Sequence, residues 1–98
     1  MIISFRDAWL REFFVSDIAS KRIPADLQDR LFRKLQMLDD ATTDADLRIP
    51  SSNHFEKLTG KHHFGYSSIR INDQYRLIFL WQNNNAYEIE INKHDKKY

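Results

Sequence analysis

Three β-rich segments separated by short polar links fill the second half of the chain and restrict what it can fold into. Tyr66 to Ile71, Tyr75 to Trp81 and Ala86 to Ile91 are rich in β-branched and aromatic residues, whereas Asn72-Asp73-Gln74 and Gln82 to Asn85 are polar. A parallel crossover needs a dozen or more residues, so links this short imply an antiparallel meander. The link after Ile71 also sets the register. If all three polar residues form the loop, Ile71 opposes Tyr75, Ile69 opposes Leu77 and Ser67 opposes Phe79, and core positions meet suitable partners. A two-residue loop would mate those positions with charged ones, so the three-residue loop is expected. The same register sets Arg70 opposite Arg76 on the other face, where two cations repel unless something negative lies over them. Glu90 is one candidate, diagonal to Arg76 if Trp81 opposes Tyr87. A phosphate, which an arginine fork matches well, is the other.

Helices are expected ahead of the meander. Ile2, Ile3 and Phe5 suggest a short opening strand, after which Asp7 can cap a helix carrying Trp9, Leu10, Phe13, Phe14 and Ile18 at helical spacings. Leu27, Leu31, Leu35 and Leu38 predict a second helix from about Pro24 to Asp40, its leucines inward and Arg30, Arg33 and Lys34 mostly solvated. Thr43 and Asp46 are spaced to cap one short turn before Pro50. Gly60 and Gly65 bracket Lys61-His62-His63-Phe64 and suggest positive backbone dihedrals at both ends of a hairpin loop. The expectation is one α+β domain over residues 1–98: a short strand, two helices, then an antiparallel sheet of three to four strands packed on them.

Composition removes several functions. Without cysteine there is no disulfide framework, thiol nucleophile or cysteine-held metal. The longest apolar run, Leu77 to Trp81, falls far short of the ~20 residues that span a bilayer, so no membrane anchor is expected and the cytoplasm is the default compartment. A net charge of +1 does not announce a nucleic-acid partner. The residues after Asn53, however, hold 7 basic and 5 acidic side chains and all four histidines, so any polyanion chemistry belongs there. His54, His62, His63 and His94 do not suggest a metal site, because adjacent histidines on a turn rarely converge on one ion; no cofactor is expected. Lys93, Lys96, Lys97 and His94 form a small basic tail, suited to tracking an RNA backbone or to plain solvation. Tyr66 is either a base-stacking residue or an ordinary sheet aromatic.

The hairpin Ser68-Ile69-Arg70-Ile71-Asn72-Asp73-Gln74-Tyr75-Arg76-Leu77-Ile78-Phe79 resembles that of HigB-type toxins, the plasmid-maintenance killer branch of the RelE/ParE superfamily. Ile3-Ser4-Phe5-Arg6 with Leu10 and Phe14, the stretch from Arg33 to Thr42, and Phe55-Glu56-Lys57-Leu58-Thr59-Gly60 resemble further parts of the same family, in order along nearly the whole chain. The resemblance implies a RelE-like fold and the toxin of a type II toxin–antitoxin system. It implies an mRNA interferase working in the ribosomal decoding site by metal-independent attack of the ribose 2′-OH, silenced by a helix-turn-helix, HigA-type antitoxin that alone reaches operator DNA. On that reading Arg70 and Arg76 contact the phosphate, Glu56 or Lys57 contributes proton transfer or substrate contact, and His94 is general acid or base. Lys61, His62, His63, Lys93, Lys96 and Tyr66 are the further RNA-binding candidates. The tail Asn92-Lys93-His94 departs from the family's D-Y-H, and four residues follow it. A second reading is therefore a catalytically silent RelE-like module that binds antitoxin, ribosome or RNA without cleavage.

Overall fold

A computed structural model of the chain describes residues 1–60 and 64–93. Helix α1 spans Ala8–Ser16. A 3-10 turn at Ala25–Leu27 leads into α2, Gln28–Asp40, and the one-turn α3 spans Asp44–Leu47. After a second 3-10 turn at Ser51–Asn53 come the strands β1 Glu56–Lys57, β2 Tyr66–Arg70, β3 Tyr75–Gln82 and β4 Asn85–Lys93. They form one antiparallel sheet in the order β1-β2-β3-β4, the α+β layout expected from the sequence.

The core lies between one face of this sheet and the helices. Leu10 and Phe13 of α1, the stripe Leu27, Leu31, Leu35 and Leu38, and Ile69, Leu77, Phe79, Ala86 and Ile89 of the strands are buried together. The stripe's spacing of four, four and three puts all four leucines on one side of the helix, and removing any one leaves a cavity costing ~2–5 kcal/mol. Helix α1 stops where Asp17 adopts the left-handed conformation (φ 56°), so Ile18 lies beyond the helix and is exposed rather than on its inner stripe. Asp7 occupies the N-cap position without a side-chain capping bond. Thr43 and Asp46 form the expected reciprocal capping box over α3. Gly65 has positive φ (86°), but Gly60 does not.

The β2–β3 hairpin has the expected register: Ser67 opposes Phe79, Ile69 opposes Leu77 and Arg70 opposes Arg76. The β3–β4 pairing departs from expectation at its turn. Asn83 and Asn84, both at positive φ (53° and 61°), make a two-residue turn, so Trp81 opposes Ala86 and Leu80 opposes Tyr87. The expected Trp81 to Tyr87 pairing is therefore off by one residue. A β-bulge repairs the slip: Glu88 takes φ 54°, two residues of β4 pass Phe79, and from there Ile78 opposes Glu90 and Arg76 opposes Asn92. Apolar residues at 86, 89 and 91 can all face the core only with one extra residue between the first two.

The bulge also receives the chain start. Ile2 and Phe5 bridge Ala86 and Ile89 in parallel as isolated pairs rather than as a continuous strand, because the intervening Ser4 sits on the bulge. Its Oγ accepts the Glu88 N–H at 2.9 Å and donates to Glu88 Oε1 at 3.2 Å. Among the described residues no helix is long and apolar enough to cross a membrane.

Candidate active site

Side chains alternate across a strand, so the face turned away from the helices carries Glu56 of β1, Tyr66, Ser68 and Arg70 of β2, Arg76, Ile78 and Leu80 of β3, and Glu90 and Asn92 of β4. At one end of this face Arg70 and Arg76 line a cleft of about 360 Å³ with His54, Asn72 and Asp73. That volume lies at the small end of the ~300–1,000 Å³ typical of ligand clefts.

Each arginine is held from several sides. Arg76 has only 12% of its side chain exposed; its Nη2 donates to the His54 carbonyl at 3.0 Å and lies 3.4 Å from Glu56 Oε2. Its Nε is buried without an acceptor among the described residues, a state that costs roughly 1–3 kcal/mol. Arg70 donates from Nε to the Asn72 carbonyl at 3.2 Å, pairs through Nη2 with Asp73, and lies 3.4 Å through Nη1 from His54 Nε2. Asn72 stabilises the loop by accepting the Gln74 and Tyr75 N–H groups on its Oδ1 at 2.9 and 2.8 Å.

Glu90 is not the carboxylate over the arginine pair. Although the bulge brings it to the position diagonal to Arg76, Arg6 claims it with an ion pair at 2.9 Å. Arg6 reaches Glu90 because the opening segment runs beside β4, its own N–H bonded to the Ile89 carbonyl.

The other candidates divide by position. Glu56 stands beside Arg76. Tyr66 shares the face but lies four residues along β2 from Arg70, about 13 Å at ~3.3 Å per residue. Lys57 pairs with Ser67 on the opposite face and approaches Asp44 at 3.8 Å, and Lys93 pairs with Tyr75, also on the opposite face. Lys61, His62, His63, His94 and Lys96 lie outside the described residues.

One residue of the cleft wall, His54, and one buried behind it, Asn53, carry no site role in the sequence reading, which names His54 only to set aside a metal site. His54 follows a 3-10 turn in the left-handed conformation (φ 45°), and it contributes its carbonyl to Arg76 and its ring to Arg70. Asn53 before it is fully buried: its Nδ2 donates to the Leu47 and Ile49 carbonyls at 3.1 and 3.3 Å, and its Oδ1 accepts from Lys34. Lys34 is correspondingly half-buried rather than solvated, and burial, followed by the nearby Arg30 and Arg33, holds its pKa below the usual lysine value.

The α+β fold corresponds to that of a RelE-like toxin, and comparison with known proteins agrees. The HigB-like toxin family, described as RelE-like toxins of type II toxin–antitoxin systems, matches residues 3–94. The chain is 44% identical over 94 residues to toxin HigB-1 of Vibrio cholerae, covering 96% of this chain and 98% of the relative. It is 39% identical over 90 residues to an uncharacterized protein of Haemophilus influenzae, covering 92% of this chain and 88% of that one. The chain belongs to the HigB-like toxin family, and as a toxin of a type II system it has an antitoxin partner.

Proposed function

We propose that this toxin is an mRNA interferase that cleaves messenger RNA in the ribosomal decoding site, in the cytoplasm, and that a HigA-type helix-turn-helix antitoxin silences it. The observation that carries the reading is the opposition of Arg70 and Arg76 over an open cleft, with Glu56 and His54 at its edge. In RNA the nucleophile is internal: the 2′-OH attacks the adjacent phosphate, a 2′,3′-cyclic phosphate forms, and the 5′ oxygen departs with a proton. The protein has then to stabilise charge on the phosphoryl oxygens and to move two protons, which needs no metal-bound hydroxide. Arg76 and Arg70 supply the charge. Glu56 and His94 are the proton-transfer groups of the proposal, with Lys61, His62, His63, Lys96 and Tyr66 as further contacts to the strand; Lys57 and Lys93, on the opposite face of the sheet, are left out of it.

The test is 5′-end mapping of messenger RNA after brief induction in cells lacking the antitoxin, comparing the wild type with Arg76→Ala. Loss of one preorganised cation from a transition-state site costs on the order of 10²–10³-fold, so new ends at fixed codon positions are expected with the wild type alone. Undiminished cleavage by folded Arg76→Ala overturns the assignment. Binding without cleavage by the wild type supports the silent module instead, a reading favoured by the carboxylate already beside each arginine.

A further inference from the structure

A second cleft, about 590 Å³, lies between α2 and the β2–β3 loop and shares Arg70, Asn72 and Asp73 with the first. Its α2 wall is Arg30, Arg33 and Lys34. Spacings of three and four place these cations on one helical face, where like charges are mutually destabilising. None of the three has a carboxylate partner among the described residues. Lys34 is tethered to the fully buried Asn53, so its ammonium is fixed at the cleft edge rather than free to swing away. A cluster that the protein leaves unneutralised, with Lys34 held in place and Arg30 and Arg33 exposed beside it, suits an external polyanion.

We infer that the α2 cleft is a second phosphodiester subsite, in which Arg30, Arg33 and Lys34 grip an RNA backbone continuous with the segment over Arg70 and Arg76. The shared wall favours RNA over an acidic protein segment, because one strand passing from cleft to cleft engages both cation sets at the repeat of its phosphates. The inference rests on the proposed RNA-directed function, but its test reads binding rather than cleavage. The source of the phosphates is either the message or ribosomal RNA, and two ligands separate these.

Binding is measured in the cleavage-deficient Arg76→Ala background, with and without the added pair Arg30→Gln and Arg33→Gln, against a labelled single-stranded RNA oligonucleotide and against vacant ribosomes, over a salt series. Glutamine keeps helix propensity, and thermal unfolding verifies the fold. Each single-strand phosphate contact contributes a salt slope of about 0.7, so losing two is expected to lower the slope by about 1.4. Carried from 1 M to 0.1 M salt, that is about 25-fold weaker binding at the lower concentration. A loss with the oligonucleotide assigns the subsite to the message and supports a strand continuous between the clefts; a loss with vacant ribosomes alone assigns the cations to ribosomal RNA and overturns that continuity. Lys21→Gln with Arg22→Gln, which removes equal charge from exposed positions outside the cleft, is expected to change the slope far less.

Equal losses in both double variants, unchanged affinity and slope in the cleft variant, or a loss confined to antitoxin binding each overturn the subsite. Failure of both RNAs to bind in the Arg76→Ala background also overturns it. Failure of the proposed function shows separately, as absence of codon-positioned cleavage by the wild type.

Discussion

Asn53→Ala isolates the joint on which the cleft wall depends. Asn53 is fully buried, and its amide ties the Leu47 and Ile49 carbonyls on one side to Lys34 of α2 on the other. Truncation removes the donor from both carbonyls, at roughly 1 kcal/mol each, and leaves a small void. Lys34 loses its acceptor too, but it is only half-buried, so water replaces much of that contact. The expected cost is about 3 kcal/mol, which for a domain of this size lowers Tm by roughly 12–24 °C. Urea unfolding followed by circular dichroism measures it, with the m value as the check that only stability has changed. A double-mutant cycle with Lys34→Met should return a coupling of about 1 kcal/mol between the two side chains. A cost below about 1 kcal/mol at unchanged m, or no coupling to Lys34, would refute the idea that this asparagine organises the segment leading to His54.

Two further outcomes concern local structure. Hydrogen bonds from the Thr42 and Thr43 backbone, and then the Thr42 hydroxyl, hold the Asp46 carboxyl below its ordinary pKa. A depressed carboxylate stabilises the fold above its unfolded pKa of ~3.9 and stops doing so as pH falls through its folded value. Asp46→Asn should therefore be less stable than the wild type at pH 7, with the gap closing on acidification in urea melts; a constant gap down to pH 2 contradicts the linkage. Asn84→Gly, at φ 61° in a turn whose two central residues both have positive φ, should raise stability by about 0.5 kcal/mol at constant m. A lower urea midpoint counts against that turn geometry.

The β2–β3 hairpin was legible because alternation and a three-residue loop act together: any other register exchanges core residues with charged ones. The β3–β4 hairpin was harder. Alternation alone implies a continuous strand, whereas Asn83-Asn84 makes a tighter turn and Glu88 then inserts the compensating residue. The clue was present in the odd step from Ala86 to Ile89. The stretch from Ile49 to His54 was the least legible, since Pro, Ser and Asn read as surface turn material. What buries Asn53 and aims His54 is a set of partners from Lys34 to Arg76, distant in sequence. Capping and leucine stripes announce themselves within a few residues; a buried amide satisfied by distant groups does not.

The assignment of carboxylates then decides whether a neutralised arginine pair can still take a phosphate. The sequence suggested Glu90, whose side chain is mostly buried and would have been costly to displace. Instead the chain start, seated on the β4 bulge, brings Arg6 to Glu90 and removes it from the pair. The carboxylates left beside the arginines are Asp73, 88% exposed, and Glu56, 58% exposed. The Arg70–Asp73 pair is exposed and contributes only ~0–1 kcal/mol, so a phosphodiester can displace Asp73 at small cost, whereas Glu56 is the exposed end of a pair whose arginine is mostly buried and must swing aside for Arg76 to meet one. Arg76 keeps its bond to the His54 carbonyl while doing so, because that acceptor belongs to the backbone and cannot swing away. Such a site stores its cations against labile partners and holds their geometry with backbone oxygens, the arrangement expected of a surface that engages a polyanion transiently rather than one that closes on itself.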